Sequence, residues 1–211
     1  MFHENNLYHG THKRFSDDIL RNGFKESKGD KEWLGDGIYF YLEDILAFKW
    51  AWLKYSKGEI DENTVKNSIS IMKVELIKDK IKIFDLDLFE HKLIYERIYK
   101  GINKKVLETK LEKGGCAEGI VLNIMFKELN DFLKLNYNIV KATFSIPHKK
   151  YKKVIKSEQN KAYKDKTHRL TFVPEIQICV KNKNVIKNIE IYNYNEKIKY
   201  FVNLVNNNNN L

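Results

Sequence analysis

Strand-type runs gather towards both ends of this chain, with helix-type periodicity between them, and that order makes the fold α+β. Near the start, Asn6 to Gly10 predicts a short strand running into a glycine turn, and Gly37 to Tyr41 predicts a second compact strand. Towards the other end, Glu175 to Val180 and Val185 to Tyr192 predict an antiparallel pair. Phe15 to Asn22 carries apolar residues at helical spacing and stops at Gly23. Glu43 to Ser56 predicts a helix with Leu46, Trp50 and Leu53 on one stripe and Gly58 beyond it. The polar stretch Lys25 to Asp36 reads as a loop. Ser68 to Ile77, alternating through Ile69, Ile71 and Val74, reads as a strand, as do Lys80 to Phe84 and Lys141 to Ile146. Leu86 to Leu111 and much of Ala117 to Leu135 read as helical, separated by Gly114-Gly115. One domain over residues 1–205 is expected, with an Asn-rich tail at 206–211 that has nothing to bury.

Composition narrows the class. A hydrophobic fraction of 43% suffices for an ordinary core. The first ten residues hold no apolar h-region, and no run approaches the ~18 apolar residues of a membrane span. A cytoplasmic protein with no membrane partner is therefore expected, with Cys116 and Cys179 reduced and buried. No Cys/His pattern has metal-ligand spacing, so no metal is expected. The net charge is +10. From Lys141 to Leu170, ten Lys/Arg face two acids, so these 30 residues carry +8. Such a segment is either a solvated lysine-rich face or a patch for a polyanion.

Three short motifs follow one another along the chain. Leu7-Tyr8-His9-Gly10-Thr11 places a histidine at a strand end. Gly35-Asp36-Gly37-Ile38-Tyr39-Phe40 enters a strand through two glycines. In Val173-Pro174-Glu175-Ile176 the proline prevents a helix from reaching Glu175 and sets it at the mouth of a strand. Each motif alone has a bland reading: a polar strand end, a glycine loop, or an acid protecting an edge.

Taken in order, the three resemble the ADP-ribosyltransferase superfamily, and most closely its His-Tyr-Glu branch, which includes poly(ADP-ribose) polymerases and diphtheria toxin. That branch opens on His-Gly-Ser/Thr and continues with a Gly-Phe pair, here Gly23-Phe24. It then carries Gly-x-Gly-Ile-Tyr-Phe, followed by a helix, and closes its site with a late glutamate. A second aromatic eleven residues after the motif tyrosine falls here on Trp50, where the branch usually has tyrosine. The resemblance covers the first 55 residues and the surroundings of Glu175. It implies a split β-sandwich with helices inserted between the N-terminal and C-terminal strands.

It also implies NAD as substrate, with His9, Tyr39 and Glu175 as the catalytic triad. Cleavage of the nicotinamide–ribose bond passes through an oxocarbenium-like transition state. Aromatic faces, here Tyr39 and Trp50, hold the cationic leaving ring. A carboxylate, here Glu175, stabilises the charge developing on the ribose. His9 would hold the adenosine ribose, Gly10 would read the carboxamide through its backbone, and Thr11 would add a polar contact. No G-x-G-x-x-G loop is present, and the superfamily binds NAD without one.

The acceptor is less constrained. Val173 stands two residues before the glutamate, where arginine-directed members carry Glu and several others carry Gln. The basic segment runs into Glu175, so Lys149, Lys150, Lys152, Lys153 and Arg169 are expected to bind a phosphate-bearing acceptor, with Tyr151 and Tyr163 interleaved for stacking. The expected function is a mono-ADP-ribosyltransferase modifying nucleic acid, as a bacterial toxin or antiviral effector restrained by an antitoxin protein. A toxin with a protein target is the main alternative. An RNA 2′-phosphotransferase would need more arginines near the site than Arg14 alone, and a non-catalytic binding module would be marked by loss of Glu175.

Overall fold

Seven strands, six α-helices and a further helical stretch at 195–199 are present in the computed structural model, which describes residues 6–56, 62–130, 134–145 and 174–199. The strands are β1 (Asn6–His12), β2 (Ile38–Tyr41), β3 (Ile69–Leu76), β4 (Ile83–Asp85), β5 (Ile139–Ser145), β6 (Pro174–Val180) and β7 (Ile186–Tyr192). The helices are α1 (Ser16–Asn22), α2 (Asp44–Tyr55), α3 (Glu62–Ser68), α4 (Phe89–Gly101), α5 (Lys104–Glu112) and α6 (Ala117–Ile124). The fold is α+β, with one mixed sheet in the order β4-β5-β6-β2-β1-β3-β7. Among the described residues only β4 and β5 run parallel. No described helix is long and apolar enough to cross a membrane.

The ladder on β1 is lopsided. β1 pairs with β3 along its full length, from Asn6↔Glu75 to His12↔Ile69. It meets β2 at a single residue pair, Tyr8↔Tyr41. β2 instead spends its length on β6, from Ile38↔Val180 to Tyr41↔Gln177. The sheet is thus two well-paired blocks joined at a narrow seam. Ile83 and Ile139 from one end of the strand order share a core with Ile186 and Ile189 from the other, so the sheet bends around that core. Leu7, Phe40, Met72 and Ile178 are wholly buried there, each contributing roughly 1.5–3 kcal/mol of transfer free energy.

Several sequence expectations need correction. Gly10 lies inside β1 rather than in a turn. A Cβ there would stand 2.0 Å from the Ala47 carbonyl oxygen and 2.8 Å from the Ala51 methyl, so the glycine lets α2 rest on the strand. β6 and β7 do not pair, because β2 and β5 flank β6 while β7 closes the far edge on β3. β3 is buried on both faces, with Ile69 and Ile71 in one core and Met72, Val74 and Leu76 in another. The long helical stretch from Leu86 breaks after Gly101, where Asn103 caps α5 by accepting from the Lys105 amide at 3.0 Å. After α6 the helix continues as a π-turn, Met125–Leu129. Cys179 is buried, as expected, but Cys116 is only partly so, and both thiols are free. The tail at 206–211 lies outside the described residues.

Candidate active site

Alternation along a strand places Tyr39 and Tyr41 of β2 on the same face as Gln177 and Cys179 of β6, since Tyr41 faces Gln177 and Tyr39 faces Cys179. Glu175 is two residues further along β6 and shares that face. α2 lies beside it, and a cleft of about 600 Å³ opens between them. His9, Gly10, Tyr39, Trp50 and Glu175 all line this cleft. Five separate stretches of sequence meet there, the fifth being the loop that carries Ser27, Lys31, Glu32 and Trp33. Thr11 is buried and does not line it. Lys149, Lys150, Lys152, Lys153 and Arg169 lie outside the described residues.

His9 spans the seam. Its Nδ1 lies 2.7 Å from the Tyr39 carbonyl oxygen. A carbonyl only accepts, so Nδ1 carries the proton and the neutral ring keeps Nε2 as an acceptor. The ring stands edge-on to Phe24 and Phe40, at 5.1 and 5.9 Å between centroids. Burial lowers the imidazole pKa, the bond to Tyr39 opposes that shift, and the charge of Lys54 adds to it. The net effect favours the neutral ring.

Tyr39 is fixed from the loop before it. Its hydroxyl donates to the Gly35 carbonyl at 2.7 Å and accepts from the Leu34 amide at 2.9 Å. Burial pushes its pKa far above the ordinary range, so the phenol stays protonated and can donate. Gly35 has φ +72° and leaves no room for a Cβ, which would meet Asn123 Oδ1 at 2.4 Å. Asp36 accepts from the Gly29 amide and from Asn123, both at 3.0 Å, and pairs with Lys127. Lys181 donates to the Leu34 carbonyl, and to that of Asp36 at 2.7 Å. Behind the loop, a cavity of about 620 Å³ is lined by Asp36, Asn123, Lys127 and Lys181, whose polar groups bond to one another or to the loop. Those contacts brace the tyrosine that faces the cleft.

The α2 side departs from the sequence reading. The helix buries Leu46, Ala47, Phe48, Ala51 and Trp52, so of the expected stripe Leu46 lies in the core, Leu53 packs against it half-buried, and Trp50 is not part of it. Trp50 is 38% exposed and borders the cleft. Lys54 Nζ sits 4.4 Å from the Trp50 ring centroid. The sequence reading also missed Lys49, whose ammonium pairs with Glu175 Oε1 while both side chains are largely shielded from water. Their separation of 126 residues gave no local signal. Lys54 was missed as well, although its place one helical turn after Trp50 was a local signal for it. Glu32, a second cleft carboxylate, was also missed. Burial raises its pKa and the charge of Lys54 opposes that shift.

No protein-family model matches the chain. Over 200 residues it is 46% identical to the uncharacterized protein MJ0359 of Methanocaldococcus jannaschii, an alignment spanning 93% of this chain and 91% of that protein.

Proposed function

The chain belongs to the same family as MJ0359, and from the chemistry of its cleft we propose that it is an NAD-dependent mono-ADP-ribosyltransferase of the His-Tyr-Glu type. The observation that carries this reading is the convergence of His9, Tyr39, Trp50 and Glu175 on one cleft. Its volume of about 600 Å³ falls within the ordinary range for ligand pockets. The narrow junction of β1 and β2 and the bend of the sheet support an ADP-ribosyltransferase-like split sandwich.

In this reading the nicotinamide lies between Tyr39 and Trp50, whose faces attract a cationic ring. Neutral His9 accepts a hydrogen bond from a ribose hydroxyl at Nε2, the nitrogen that its bond to Tyr39 leaves over. Beyond Tyr8 the β2-facing edge of β1 is open, which offers backbone groups around Gly10 to the carboxamide. Glu175 stabilises positive charge on the ribose as the C–N bond breaks and its electron pair leaves with nicotinamide. The acceptor nucleophile then bonds to the ribose carbon and gives up its proton. Lys49 pairs with Glu175 and fixes the position of its Oε1.

The acceptor we propose is nucleic acid, bound through the +8 segment that leads into Glu175. A toxin or antiviral effector held in check by an antitoxin protein accords with that chemistry. Incubation with NAD labelled in the adenylate, alongside separate RNA, DNA and protein pools, tests both halves. Label in RNA or DNA with release of nicotinamide is expected. Label in protein alone would replace the acceptor, and no release of nicotinamide would overturn the transferase reading.

A further inference from the structure

Lys54 lines the same cleft as the proposed NAD-binding residues. Its ammonium lies 4.4 Å from the centroid of Trp50 and 5.4 Å from that of Tyr55. Its charge also acts on two other cleft residues, disfavouring the charged form of His9 and favouring that of Glu32. One exposed side chain therefore lines the cleft beside the ring proposed to take nicotinamide, in the same cleft as the histidine proposed to take the distal ribose. Among the described residues it makes no ion pair and no hydrogen bond; its contacts are with ring faces.

Two cations cannot share one face of Trp50. A pyridinium entering alone would have to displace the Lys54 ammonium and would lose by its repulsion. A ligand that also carries a diphosphate gives that ammonium a better partner, through charge-assisted hydrogen bonds to its oxygens. In a dinucleotide the diphosphate joins the two riboses, and Lys54 lines the cleft that holds the residues proposed for both ends. We infer that Lys54 is a diphosphate-binding residue that exchanges the Trp50 face for the ligand's phosphates, so that pyridinium capture is coupled to the presence of a diphosphate.

The inference rests on the NAD reading of the cleft but is tested by binding alone. Wild type, Lys54→Gln and Lys54→Arg are titrated calorimetrically with ADP-ribose, which has the diphosphate and no pyridinium, and with 1-methylnicotinamide, which has the pyridinium and no phosphate. Lys54→Gln should weaken ADP-ribose by roughly tenfold or more, the scale of a lost charge-assisted hydrogen bond. The same change should tighten 1-methylnicotinamide by about two- to fivefold, as the competing cation leaves. Lys54→Arg should stay near wild type for both. Opposite signs with the two probes are the signature of exchange, and a variant that merely misfolded would lose both. The inference is overturned if wild type does not bind ADP-ribose, if Lys54→Gln leaves ADP-ribose unchanged, or if both probes weaken together. Opposite-signed binding changes without any release of nicotinamide from NAD would uphold Lys54 and overturn the transferase reading.

Discussion

Glu175 and Lys49 meet where little water reaches either group, with side-chain exposures of 8% and 17%. Glu175→Gln keeps an oxygen for Lys49 to donate to and removes only the charge. Transfer should fall by about 10²–10³, while NAD affinity changes little, as read by nicotinamide release and by titration. Wild-type turnover would remove Glu175 from the chemistry. Trp50→Ala separates stacking from packing. Because the ring is 38% exposed, thermal stability should barely move, whereas NAD affinity should drop roughly tenfold. A loss of stability with normal affinity would make Trp50 a packing residue. His9 carries the pH dependence. Its folded pKa lies below the usual imidazole value of about 6.5, so the unfolded chain takes up a proton that the folded chain resists. The stability it contributes is complete above that unfolded value and is lost as pH falls through the window down to the folded value. NAD binding should weaken at lower pH, as pH falls through the folded value, because a protonated Nε2 no longer accepts. In unfolding and binding series from pH 8 to pH 5, His9→Gln should lack this component, and parallel curves for the two proteins would refute it.

Between β1 and α2, the decisive contact is made by the smallest side chains. Gly10 faces the Ala47 carbonyl and the Ala51 methyl at distances that admit no methyl group. Gly10→Ala should therefore push α2 off the strand and cost roughly 1–3 kcal/mol, together with NAD affinity, since Lys49, Trp50 and Lys54 ride on that helix. Gly101→Ala, a position with no neighbour within 4 Å of the added methyl, serves as the control in denaturant melts. Equal stability of the two variants would remove the close-packing argument. The same contact explains where sequence patterning worked and where it did not. α1 with its stop at Gly23, the strand at Tyr39 and the existence of α2 were all legible, because each depends on local spacing and end signals. The buried side of α2 was legible only in part: Leu46 lies in the core as expected, but Ala47, Phe48, Ala51 and Trp52 complete that side, and the large Trp50 faces the cleft instead. The neighbours of β6 and β7 were not legible. Both segments are strands, as expected, but strand partners are set by register between distant segments, and nothing local to Glu175 announces β2 or Lys49. His9, Tyr39, Trp50 and Glu175 were readable because the motifs carry them, whereas Lys49 and Glu32 appear only once the chain is folded.

Across the whole molecule the charge is unevenly placed. Of a net +10, the 30 residues from Lys141 to Leu170 hold +8 and lead into Pro174 and Glu175. The cleft has its own lysines for a small anionic ligand, Lys31 and Lys54 among them, so the basic segment is not needed to explain NAD capture. That separation makes the roles testable. Reversing Lys149, Lys150, Lys152 and Lys153 to Glu should leave ADP-ribose binding and NAD hydrolysis near wild type, while transfer to RNA falls steeply. Wild-type binding to single-stranded RNA should weaken as salt rises, with a slope in log K of about −0.7 for each phosphate contact. Loss of four such contacts should therefore flatten the slope by up to about 3. A solvated face would give a shallow salt response in wild type and unchanged transfer in the variant. A docking face for an inhibitor protein would give a third pattern, in which RNA modification persists and inhibition is lost. RNA titrations of both proteins between 50 and 300 mM salt, paired with the transfer assay, distinguish the three, and a flat wild-type response would shift the acceptor from nucleic acid to protein.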